Sequence, residues 1–162
     1  MTEKKYNAEL TKELISSLRG SHAHVTLDRA LKGLPDDLRG VVPQGLPYSV
    51  WQLVEHIRIT QWDMVMFSID ASHESPPWPE GYWPEDSTPE SDHVWKESLK
   101  KIAEDREAFI RFLESPDADL FTPFSHGEGQ TLLREAIQLI DHNGYHIAEI
   151  VTVRRLLGAW KG

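Results

Sequence analysis

Apolar residues return along this chain at the period of a helix, and four stretches carry the pattern. In residues 7–32, Leu10, Leu14, Leu18 and Val25 recur at spacings of four, four and seven, which puts them on one side of a helix. Gly20-Ser21 lowers helix propensity in the middle and predicts a bend there. Residues 49–70 open on Ser-Val-Trp-Gln, a capping box in which the Ser49 hydroxyl accepts from the Gln52 N–H and Gln52 reaches back. Leu53, Ile57, Met64 and Phe67 then line one face. Residues 88–113 start with Thr88 as N-cap and Pro89 at the first helical position, and continue through Trp95, Leu99, Ile102 and Ile110. The last stretch, residues 131–157, opens at Thr131, and Gly158 is placed to supply a left-handed C-terminal cap.

Between the second and third stretches, residues 71–90 hold five prolines and two tryptophans, a composition that forbids both a helix and a central strand. The connection before the last stretch allows at most a short extended piece at residues 120–124. The predicted fold is all-α: a four-helix bundle of up-down-down-up type with a long Pro/Trp-rich loop between its second and third helices. The length of 162 residues suits one core, so residues 1–162 are expected to form a single domain.

Composition narrows the chemistry. With 40% hydrophobic and 27% charged residues the chain is composed like a soluble globular protein, and no apolar run approaches the ~20 residues of a membrane span. The first residues alternate charge with single leucines, unlike a secretory signal, and the expected location is the cytoplasm. A net charge of −9 opposes the counterion-releasing contacts that hold a nucleic acid, so none is expected as a partner. There is no cysteine, which leaves His, Asp and Glu as the only metal ligands.

The candidate chemistry lies in the last helix. Leu132, Ala136, Leu139, Asn143, His146, Ile150, Val153 and Leu157 follow a 4-3 spacing, so His146 falls inside the apolar stripe. His142 precedes it by one turn and stands about 40° round the helix, so the two imidazoles can converge. Such a pair can share a divalent ion, and it can equally be two hydrogen-bonded core residues. A metal needs a third ligand, for which His56, at the edge of the second helix's apolar face, is the best placed. Three protein ligands leave coordination positions open, as catalytic sites do.

Glu135, His142, His146 and Glu149 follow at spacings of seven, four and three, nearly in one line. Glu149 is thus a candidate base, or a carboxylate that orients an imidazole; a solvated position at the helix edge is the alternative for both glutamates. His22 shares a helical line with Ile15, Leu18 and Val25, and His24 points elsewhere. His73, His93 and His126 lie in or beside loops, where exposure is expected. A di-iron carboxylate site would need a Glu-x-x-His motif on two helices, and only Glu90 to His93 supplies one.

The segment LPYSVWQLVEHIRITQWDMVMF, followed after a long loop by LREAIQLIDHNGYHIAEIVTVRRLLGAW, resembles the DinB-like (DinB/YfiT) superfamily of small metal-binding four-helix bundles. The resemblance implies a divalent transition metal, such as zinc, nickel, iron or manganese, held by one histidine of the second helix and two of the fourth. Carried onto this sequence, those are His56, His142 and His146. Where the family commonly continues His-x-Gly-Gln-Ile, this chain reads His-Ile-Ala-Glu-Ile, with Ala148 and Glu149 in the altered places. The resemblance also implies a metal-dependent enzyme acting on a small-molecule substrate, either a transferase using a low-molecular-weight thiol as cosubstrate or a hydrolase. A homodimer is a further expectation, and Trp78, Tyr82 and Trp83 are candidates to wall the site, with packing across the bundle mouth as the commoner role for loop tryptophans. The alternative is a metal-stabilised binding or stress-response module without turnover.

Overall fold

The computed structural model describes residues 3–20 and 23–161, and among them every regular element is helical. The helices are α1 (Glu3–Arg19), α2 (Leu27–Leu31), α3 (Val50–Ile69), α4 (Asp92–Leu113) and α5 (Leu132–Leu156). Single 3-10 turns lie at Asp36–Leu38 and Glu80–Tyr82. The extended piece expected at residues 120–124 amounts to one bridge, Pro123 to Thr131.

Two predicted boundaries move. The stretch 7–32 is two helices and not one, because α1 stops at Arg19 and the chain re-enters a helix only where the Thr26 hydroxyl accepts from the Arg29 N–H. Ser21 and His22 lie outside the described residues. The third long helix begins at Asp92, with Ser91 as its N-cap, and not at Thr88-Pro89. Thr88 is packed onto Gly40, where a side-chain carbon would have no room, and the neighbouring Ser87 carbonyl accepts from the Ser49 hydroxyl. That docking commits residues 87–88 to the loop. The Ser49 capping box and the Thr131 N-cap form as the sequence predicts, and Gly158 takes φ +69° after α5.

In cross-section α3 packs on α4 and α5, and α1 closes the ring on the same two helices. Two apolar clusters fill the interior. One gathers Trp51, Leu53, Val54, Ile57, Trp95 and Ile150; the other gathers Leu14, Val65, Phe109, Leu132 and Leu139. Burying one such side chain contributes ~1.5–3 kcal/mol, so the pairing of α3 with α5 is fixed firmly enough to place side chains between them. No described helix is long and apolar enough to cross a membrane.

Candidate metal centre

His56, His142 and His146 come together between α3 and α5, each offering a ring nitrogen, with the three nitrogens within 4.8 Å of one another. His56 and His146 are buried and His142 is half-buried. The ring centroids stand 4.5 to 4.9 Å apart in all three pairs.

Which nitrogen faces inward follows from what the other one touches. His56 Nδ1 lies 2.8 Å from the Tyr82 carbonyl, an acceptor only, so Nδ1 carries the proton and Nε2 keeps its lone pair. His146 Nδ1 lies 2.7 Å from Glu149 Oε2 and donates to it, which again leaves Nε2 free. For His142 the assignment passes through three residues. The Ile102 carbonyl accepts from Gln61 Nε2 at 2.6 Å, which turns Gln61 Oε1 toward Asn143 Nδ2 at 3.0 Å. Asn143 Oδ1 is therefore the atom presented to His142 Nδ1, a long contact of 3.4 Å that calls for a proton on Nδ1. All three Nε2 atoms are thus left as lone-pair donors.

These donors fit a cation. His142 Nε2 and His56 Nε2 stand 3.1 Å apart with no proton assigned between them. Two ligands at ~2.05 Å from one ion would be about 2.9 Å apart at a right angle and about 3.3 Å apart at the tetrahedral angle. Facing lone pairs at such a separation repel, and a shared divalent ion turns the repulsion into two bonds.

Electrostatics keep the imidazoles in the binding form. Burial lowers the pKa of His142 to about 4, helped by His146 and His56, and burial with the neighbouring His56 lowers His146 to about 4. Burial also lowers His56, against the Tyr82 hydrogen bond and the Glu149 charge, which act in the opposite direction. Ligation requires neutral imidazole, and neutral is what these sites hold at pH 7. Burial raises the Glu149 carboxyl, while His56 and a hydrogen bond from Tyr145 pull it down.

Of the expected aromatic wall, Trp83 is at the site: its ring stacks on His56 at 3.8 Å and 3°, with Tyr48 on its other face at 4.0 Å. Tyr82 contributes its carbonyl, while its hydroxyl turns away to Asp63; burial and that carboxylate push the phenol up to about 12, so it remains a donor. Trp78 is 71% exposed, with its ring against that of Tyr82. Two cavities, one of about 60 Å³ beside Gln61 and Asn143 and a groove of about 1190 Å³ between α2, α4 and Trp160, are lined by none of the three histidines.

Other expectations change. His73 is not a solvent-exposed loop residue: its side chain is 7% exposed, paired with Asp63 at 2.8 Å. His126 is exposed, as expected of a loop histidine, and donates to the Phe67 carbonyl at 2.8 Å beside the Phe67 and Phe124 rings. Glu135 is buried, not solvated, and burial raises its carboxyl. Glu149 sits on His146 and not simply in solvent. Sequence reasoning passed over Gln61, Asp63 and the Tyr82 carbonyl; Gln61 in an apolar helix face was a readable signal, whereas a backbone carbonyl carries none.

The DinB superfamily model matches residues 21–150, a span that includes all three histidines and Glu149. No curated protein matches the chain.

Proposed function

The chain belongs to the DinB superfamily, and from that membership and the histidine cluster we propose that it is a metal-dependent enzyme of small-molecule chemistry. His56, His142 and His146 are the ligands, and the ion is zinc, nickel, iron or manganese, since three imidazoles accept any of them. The reaction is transfer involving a low-molecular-weight thiol, or hydrolysis. The reading extends to a cytoplasmic protein that pairs as a homodimer on an up-down-down-up bundle and takes no nucleic acid.

One observation carries the proposal: three Nε2 lone pairs converge while each Nδ1 is engaged elsewhere. When bound, the ion supplies Lewis acidity that lowers the pKa of a thiol or a water. The protein's own contribution is to hold the imidazoles. Glu149 keeps the proton on His146 Nδ1 and makes that ring a stronger donor, the Tyr82 carbonyl does the same for His56, and Trp83 covers the His56 face against water. With one Glu149 oxygen on His146 and the side chain 35% exposed, the carboxylate can also take a proton from a group bound beside it.

Metal analysis of freshly purified protein, followed by turnover assays with several low-molecular-weight thiols and with simple esters and amides, tests this. Stoichiometric metal with turnover supports it. Metal without turnover leaves a metal-stabilised module in its place, and metal-free protein that takes up no added zinc or nickel ends both.

A further inference from the structure

Asp63 stands seven residues after His56 on α3, two turns along the same helix, with its side chain 13% exposed. Its two carboxylate oxygens have different partners: Oδ1 accepts from His73 Nε2 at 2.8 Å, and Oδ2 accepts from the Tyr82 hydroxyl at 2.6 Å. His73 opens the Pro/Trp segment and Tyr82 lies nine residues further along it. One half-buried carboxylate therefore ties the segment to α3 at two points. The His73 ring is packed edge-on to Trp62 at 5.0 Å, which confines it further.

The same tyrosine reaches α3 a second time. Its hydroxyl is on Asp63, its backbone carbonyl is on His56 Nδ1, and the next residue, Trp83, stacks on the His56 ring. A loop carbonyl meets a particular imidazole only if the loop is held in register, because the peptide itself has no preference for that partner. Hydrogen bonds to a carboxylate are the stronger kind and so suit the task.

We propose that Asp63 is a positioning residue for His56: by holding His73 and Tyr82 it sets the Tyr82 carbonyl and the Trp83 ring against the imidazole, keeping the proton on Nδ1 and the Nε2 lone pair toward His142 and His146. The proposal rests on the reading of the cluster as a metal site. Metal affinity then depends on a carboxylate that touches no ligand.

The test uses zinc titration of the metal-free full chain by calorimetry, together with the imidazole ¹⁵N spectrum of His56 before zinc is added. Asp63→Ala is expected to weaken zinc binding on the order of 10-fold, as loss of an outer partner does, and to turn His56 from a single Nδ1–H form into a mixture of tautomers. Tyr82→Phe removes one anchor while leaving the carbonyl and the ring, so it should shift both readouts the same way by less; it also carries the test should Asp63→Ala fail to fold. Variants that lose stability but keep wild-type zinc affinity and the Nδ1–H form overturn the proposal. A wild type that binds no zinc overturns the metal reading instead, and the tautomer measurement still decides the role of Asp63.

Discussion

Two polar groups on helix α3, the half-buried Asp63 and the buried His56, differ in one respect. Around Asp63, each carboxylate oxygen meets a donor, His73 on one side and Tyr82 on the other, so the group is complete and works as an anchor. Around His56, the three Nδ1 atoms are engaged at the rim, and the ring nitrogens turned inward lie close together as lone-pair donors. A buried polar group is costly unless satisfied. The first group is satisfied by the chain alone, and the second offers its ring nitrogens to a cation. The difference separates an imidazole that holds a loop from imidazoles placed to share an ion.

The comparison breaks most directly at the ligands. His146→Ala should abolish stoichiometric zinc or nickel uptake, whereas His73→Ala should leave one ion per chain; metal analysis after dialysis distinguishes the two. Zinc at a hundred times its dissociation constant should stabilise the wild type by about 2.7 kcal/mol and the His146→Ala protein by nothing, read from thermal unfolding. Equal metal content in both variants would remove the distinction.

The pH dependence of the metal-free protein comes next. His142 and His146 have folded pKa values of about 4 against an ordinary 6.5, so the folded state binds fewer protons than the unfolded one between these values. Their contribution is complete above pH 6.5 and is lost as pH falls through 6.5 toward 4. Urea unfolding at pH 7, 5.5 and 4 should show the decline, and His142→Ala should flatten it. A wild-type profile as flat as the variant's contradicts the burial argument.

At the rim of the cluster, Glu149→Ala should weaken zinc binding roughly 10-fold by freeing the His146 ring, and Glu149→Gln should weaken it less, because an amide oxygen still accepts from Nδ1–H. Unchanged affinity in both would make Glu149 a solvent-facing residue for this purpose. The smallest effect belongs to Trp83→Phe, which shrinks the stacked surface on His56 and should cost about 1 kcal/mol in chemical denaturation while leaving metal stoichiometry intact.

Much of the site was legible in the chain because helices make spacing into geometry. His142 and His146 are one turn apart on any helix, and Glu149 three residues on reaches His146 by the same rule. Ser49 with Gln52 and Thr131 before an apolar stripe mark helix starts by local hydrogen bonding that needs no tertiary partner. The misplaced boundary at Thr88-Pro89 had the right local chemistry. Packing on Gly40 and the Ser49 hydroxyl overrode it, and Ser91 took the cap. His73 read as a loop histidine because nothing near it in sequence announces Asp63, ten residues earlier on a helix.

The sequence by itself determined the helical periods, the histidine pair with its adjoining glutamate, and the absence of thiolate ligands, since each follows from residue type or from contacts within a turn or two. The tertiary structure decided which third histidine joins the pair, which nitrogen each ring turns inward, and which loop carbonyl and tryptophan hold His56. Those depend on atoms far apart in the chain: the Ile102 carbonyl sets the Gln61 amide, the amide sets Asn143, and Asn143 sets the proton on His142. A hydrogen-bond direction propagates through space and not along the backbone, so only the packing of α3 against α4 and α5 brings that chain of constraints into being.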